Sequence, residues 1–160
     1  MSEVPAESNG FQVRHVGLLL ESLARLTGRR PVAAPPGSVE AARAVWQAPF
    51  ALVSHGVEPD PVFNYGNLTA LRLFEMDWQQ FTCLPSRLSA EAPNQEERAR
   101  LLQRVSQAGY IDDYAGIRIS STGHRFRIEN AVVWSLTDPA GQYAGQAAMF
   151  ERWSDIATGE

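Results

Sequence analysis

The chain has one cysteine, three histidines, no run of apolar residues long enough to cross a bilayer, and no excess of basic charge. Each shortage excludes something. A lone Cys83 cannot close an intramolecular disulfide, and nothing before Phe11 reads as a basic-then-apolar leader, so a reducing cytoplasm is the expected setting. The longest apolar stretch falls far short of the roughly 20 residues a membrane helix needs, which leaves no membrane role. A net charge of −4 provides no footprint for nucleic acid. His15, His55 and His124 have no second His, Cys or acid at a ligand spacing, so no metal site is expected. No period recurs along the chain, which excludes repeat architectures.

What is present is enough for one packed body. A chain of 160 residues can bury roughly 70% of its unfolded surface. Its most informative stretch runs from Tyr114 to Phe150, where apolar runs are cut by Ser121-Thr122-Gly123 and Asp138-Pro139-Ala140-Gly141. Three strands joined by tight turns are predicted. Phe126, Ile128, Val132, Trp134 and Leu136 share the even positions and should form one packed face.

The preceding sequence supplies more strands and the cover. Met1 to Gly10 reads as a loose, polar start. Phe11 to Thr27 repeats Val16, Leu19, Leu20, Leu23 and Leu26 at helical spacing and stops at Gly28. The Pro-rich connector Pro31–Ser38 sets this helix apart, dividing the chain into an N-terminal segment, 1–37, and a main domain, 38–160. The stripe of that helix must be buried, either by folding back over the sheet or by pairing with its copy in a homodimer. Ser38 caps a short helix to Gln47. Phe50–Gly56 and Pro61–Asn67 read as a strand hairpin, Asn67 caps a helix through Met76, and Asp77–Cys83 forms a further turn or helix ended by Leu84-Pro85. Asn94 is the expected cap of a helix from Gln95 to Ala108, which Gly109 closes. The predicted fold is α+β: a five-stranded antiparallel sheet with helices on one face and an amphipathic helix at the N-terminus. The space between sheet and helices is the natural place for a small ligand.

Several segments then point to a family. Pro49-Phe50, Val53-Ser-His-Gly56, Asp60-Pro-Val-Phe-Asn-Tyr-Gly-Asn67, Leu84-Pro-Ser-Arg87, Asp113-Tyr114, Gly116-Ile-Arg-Ile-Ser-Ser121, Val133-Trp134 and Gly145-Gln-Ala-Ala148 resemble the MEKHLA domain, a PAS-related family. The six-residue run that names the family is absent. The resemblance covers about residues 45 to 155 and implies a PAS-like fold, a sensory or small-molecule-binding role and frequent dimerisation. It names no ligand, and the cofactor stays unknown. Haem-binding PAS relatives use a His on the long helix before the meander, which this chain lacks. Flavin-binding relatives surround a reactive Cys with Asn and Gln partners that Phe81-Thr-Cys-Leu-Pro-Ser-Arg87 does not have, so Cys83 is read as a buried, inert thiol.

No catalytic residue is assigned. Ser54 and His55 are adjacent on a strand, so their side chains point to opposite faces and form no dyad. The candidate ligand-binding residues are polar groups that patterning can turn inward: His55, Asn64, Tyr65, Arg87, Arg118, Ser120, Trp134 and Gln146. Arg87 either anchors a carboxylate or pairs with a nearby acid. Arg118 and Ser120 alternate with Ile117 and Ile119, and only one pair can face the helices. Trp134 either stacks in a pocket floor, with Gln146 bonding beside it, or fills an ordinary core. The reading is a PAS-like sensory or small-molecule-binding module, homodimeric through the N-terminal helix and acting through an unidentified signalling partner. Its alternatives are a small enzyme using the same pocket, with His55 or Arg87 at work, and an interaction module with a filled core.

Overall fold

The computed structural model describes residues 3–156, the side chains of 92–95 excepted. Its centre is an antiparallel sheet in the order β2-β1-β5-β4-β3, formed by β1 (Ala51–His55), β2 (Phe63–Gly66), β3 (Tyr110–Ile119), β4 (Arg125–Thr137) and β5 (Tyr143–Phe150). These are the five expected strands. A sixth, β6 (Arg152–Ile156), pairs with the first half of β4, after a break at Glu151.

β4 is where the simple alternation fails. Its first half pairs with β6 from Arg125 to Glu129 and its second half with β5 from Val132 to Thr137. Between them Asn130 adopts a left-handed backbone, φ 52°, and the pairing with β3 is irregular on both sides of the Tyr114–Ala131 pair. An extra residue of this kind moves every later side chain to the other face. Phe126 and Ile128 therefore face one helical layer, and Val132, Trp134 and Leu136 face the opposite one. The sheet has two packed faces.

The second face is covered by α1 (Val13–Thr27), with Val16, Leu19, Leu20 and Leu23 all buried. Trp134 Nε1 donates to Leu19 O at 3.1 Å, and the Thr137 amide donates to Ser22 Oγ at 3.1 Å. Of the two expected fates of this helix, the structure takes folding back: the stripe assigned to a homodimer lies on the chain's own sheet and is not open to a second copy. The start of the chain is also tied down. Asn9 Oδ1 accepts from the amides of Ala6 and Gln12, and Phe11 is buried, so residues 3–10 are not the loose segment their composition suggested.

The first face is covered by α3 (Leu68–Phe74), α4 (Trp78–Phe81), a single 3-10 turn at Ser86–Ser89, and α5 (Ala92–Ala108). Asn67 caps α3 as expected and does more. Its Oδ1 accepts from the amides of Ala70 and Leu52, both at 3.1 Å, and its Nδ2 donates to the carbonyls of Val45 and Phe50, both at 2.9 Å. One buried side chain thus joins the end of α2 (Val39–Trp46), β1 and α3. Phe63, Phe74, Phe81 and Phe126 form an aromatic chain beneath α3 and α4, with Phe63 and Phe81 stacked 4.2 Å apart. α5 begins at Ala92, three residues before the expected start. Glu91 holds the N-cap position instead of Asn94, and a proline stands in the first turn, where its missing N–H leaves no bond unmade. The Asn94 side chain lies outside the described residues. Gly109, at φ 90°, ends the helix by donating to Val105 O.

Among the described residues no helix is long and apolar enough to cross a membrane.

Candidate functional site

Between α5 and the sheet lies a cavity of about 60 Å³, floored by β1, β5, β4 and β3 and roofed by Phe74, the Ser86–Ser89 turn and α5. By the ~10–15 Å³ that one water requires, it has room for roughly four to six waters. Most of its wall is apolar, contributed by Val53, Phe63, Leu101, Ile128, Val133 and Phe150. The polar residues in that wall are few: Ser54, His55, Ser86, Ser89, Arg98, Tyr114, Arg118 and Gln146.

Strand alternation delivers three of the expected residues. His55 and Gln146 are register partners on β1 and β5, so their side chains rise from the same face of the sheet. Arg118 and Ser120 are the inward pair of β3, and Ile117 and Ile119 are only half-buried. Arg118 lines the cavity, its guanidinium 5.3 Å from the centre of the Tyr114 ring. Ser120 is buried but lies beyond the cavity wall, where it donates to Glu75 Oε2 at 2.6 Å and locks the end of α3 to the β3–β4 turn.

The other four expected residues fall elsewhere, each for a physical reason. Arg87 is exposed and paired with Asp60 at 3.1 Å, the nearby-acid outcome. Trp134 is fully buried against α1, on the far side of the sheet from the cavity, because the Asn130 bulge shifted its parity. Asn64 and Tyr65 also look toward α1: Asn64 Oδ1 accepts from Ser54 Oγ at 2.5 Å, and the Tyr65 ring lies 5.8 Å from that of His15. Ser54 and His55 do point to opposite faces. Ser54 gives its proton to Asn64 and accepts from His15 Nε2 at 2.9 Å, so His15 is not placed to take a proton from it.

Ser54, Ser86, Ser89, Arg98 and Tyr114 line the cavity without having been among the expected residues. Arg98 sits at the i−3 and i−7 positions of the Leu101 and Val105 stripe on α5, and its placement on an apolar face was the available signal. It is buried and donates to Ser86 Oγ. Burial first, then the neighbouring Arg118, pushes its pKa down to about 10. Tyr114 was read as the first residue of a strand; its hydroxyl hangs directly over Gly116, at the spot a side chain there would fill.

The electrostatics are one-sided. Among the described residues neither Arg98 nor Arg118 has a carboxylate within ion-pair distance. Burial holds the His55 ring below its ordinary pKa. Its Nδ1–H donates to Gly56 O at 3.0 Å, since a carbonyl can only accept, and Nε2 is left as a bare lone pair. Among the described residues three buried polar atoms of the cavity wall have no partner: His55 Nε2, Tyr114 Oη and Gln146 Oε1. Such atoms are rare in folded proteins and call for an explanation. Cys83, expected to be buried, is exposed and does not line the cavity, so no thiol faces a guest there. Among the described residues no group of three or more His, Cys, Asp or Glu could hold a metal ion.

The MEKHLA domain family matches over residues 13–155, a span that includes α1. No curated protein matches the chain. In fold the chain is similar to the PAS domain of a protein from Colwellia psychrerythraea, with a TM-score of 0.61 and 16% identity over 73% of this chain and 94% of that one. It is similar to an RNA-binding light-oxygen-voltage receptor, with a TM-score of 0.62 and 20% identity, covering 79% of this chain but only 38% of that one. The fungal blue-light photoreceptor Vivid, in its light-state dimer, gives a TM-score of 0.55 and 11% identity over 81% of this chain and 88% of that one. At these identities the likeness is one of fold. Sequence match and fold agree, and the chain belongs to the MEKHLA domain family, built on the fold of PAS sensory domains.

Proposed function

We propose that this protein is a cytoplasmic sensory module that binds a small molecule between α5 and the sheet and passes the bound state to a partner protein. The observation that carries the reading is the set of three buried, unpaired polar atoms, His55 Nε2, Tyr114 Oη and Gln146 Oε1, on residues that line one cavity. Leaving such atoms without partners destabilises a fold by about 1–3 kcal/mol each, so a filled core would be expected to have replaced or paired them. A guest molecule supplies the missing partners. The module has no activity of its own in this proposal: among the described residues no nucleophile with a base beside it opens onto the cavity. Pairing with a second copy belongs to it too, as in the light-state dimer reported for Vivid, but with α1 left on its own sheet.

Mass spectrometry of the purified chain under native and denaturing conditions tests the reading. A small mass retained in the first and released in the second is expected, and Ala148→Phe, which fills the cavity from β5, should abolish it. No retained mass, and no binding from a metabolite extract, would remove the ligand-binding role.

A further inference from the structure

We infer that the guest is a small organic acid whose carboxylate lies between Arg98 and Arg118 and which carries a hydroxyl or N–H at its other end, a hydroxy or amino acid in chemical class. The inference rests on the ligand-binding reading above and narrows it.

The charge comes first. Arg98 reaches the cavity from α5 and Arg118 from β3, each only 8% exposed. The nearby acids are engaged elsewhere: Glu91 holds Arg125 at 2.7 Å and Asp60 holds Arg87 at 3.1 Å. Two buried guanidiniums facing one space without a counterion repel each other in a medium that screens poorly, and the attraction of an anion between them offsets both that repulsion and the cost of their burial. A carboxylate matches the planar fork of a guanidinium with two parallel hydrogen bonds. The Tyr114 hydroxyl, beside Arg118, is free to join it.

The far end asks for a donor. The bare Nε2 of neutral His55 can only accept. Gln146 directs its Nε2 at Leu102 O, 3.4 Å away, so its Oε1 is the atom left over, and that too can only accept. Among the described residues neither acceptor has a hydrogen-bond partner, and the two, on register-paired residues, fit a ligand O–H or N–H. Ile128, Val133 and Phe150 make the wall apolar. The volume of about 60 Å³ confines the body of the ligand to a few carbons.

The test is titration with ω-hydroxy and ω-amino acids of two to four carbons, the alkyl acids of equal length, 4-hydroxybutyramide and inorganic phosphate. Kd is read by calorimetry, and the Nε–H resonances of Arg98 and Arg118 by NMR. One member of the hydroxy or amino series is expected to bind and to shift both resonances. The matching alkyl acid should bind roughly tenfold more weakly and the amide at least about a hundredfold more weakly. Arg98→Gln and Arg118→Gln should each weaken binding by roughly tenfold or more, with the ligand-free urea midpoint unchanged or raised because a buried unpaired charge has gone. Equal affinity for the amide, tighter binding of phosphate than of any acid, or undiminished affinity in both variants overturns the inference. If no probe binds, the mass retained by the native protein decides: a hydroxy or amino acid supports it, and any other class overturns it while leaving the ligand-binding reading intact. No binding and no retained mass overturns both.

Discussion

The Trp134 indole N–H donates to the Leu19 carbonyl at 3.1 Å, a bond that pins the N-terminal helix to the face of the sheet opposite the cavity. The stripe beside it, Val16, Leu19, Leu20 and Leu23, is at most 2% exposed. α1 is therefore part of the core and not an appendage. Leu23→Ala should lower the unfolding free energy by about 2–5 kcal/mol in urea titrations. Its sedimentation coefficient should match that of the parent chain. A variant that changed its association state with little loss of stability would instead place α1 at an interface between copies.

Asn67 joins three elements through four buried hydrogen bonds. Asn67→Ala takes the side-chain partner from the Phe50 carbonyl and from the amides of Leu52 and Ala70, while Val45 O keeps the Ala48 amide at 3.3 Å, and the expected loss is roughly 3 kcal/mol. Asn67→Asp keeps the acceptor for Ala70 and Leu52 but offers lone pairs to the carbonyls of Val45 and Phe50. Both should destabilise by chemical denaturation; Ser or Thr, which cap helices elsewhere, should not rescue.

Stability should fall on acidification before the carboxylates titrate. Burial holds the His15 ring down at about 4 in the folded chain, against 6.5 when unfolded. The unfolded chain binds the extra proton between those values, so the contribution is complete above about pH 6.5 and is lost as the pH drops toward 4. His55, also lowered by burial, acts in the same direction. For a half-buried ring the loss from His15 is at most about 3 kcal/mol. Urea midpoints measured from pH 7 to pH 4 should decline in the parent chain and decline less in His15→Gln.

Gly116 has no room for a side chain, because a Cβ there would lie 2.1 Å from Tyr114 Oη. Gly116→Ala must push the tyrosine out of the cavity wall. A destabilisation of about 1–3 kcal/mol is expected. Whatever small molecule the native protein retains should be lost or bound more weakly, as read by the same native mass spectrometry.

The sheet was legible because turn residues and period-two alternation are local. Asn67, Ser38 and Gly109 cap the helices that their positions announced. What alternation could not foresee is the left-handed Asn130, which hands β4 from β6 to β5 and carries Val132, Trp134 and Leu136 to the other face. Trp134 was lost from the site by that one residue, and the second packed face was gained by it. His55, Arg118 and Gln146 survived as site candidates because β1 keeps one register against β5 from Ala51 to His55, and β3 keeps one register against β4 from Gly116 to Ile119. Arg98 escaped notice for the opposite reason: an Arg on a helix stripe reads as a solvated neighbour until the wall facing it is known.

A high-resolution crystal structure of the protein purified without added ligand bears most directly on the cavity between α5 and the sheet. Density for a non-protein molecule within hydrogen-bonding distance of the Arg98 and Arg118 guanidiniums, reaching His55 Nε2 or Gln146 Oε1 at its other end, is the expected result. Side chains interlocked across that space, with each guanidinium paired to a protein carboxylate, would contradict it.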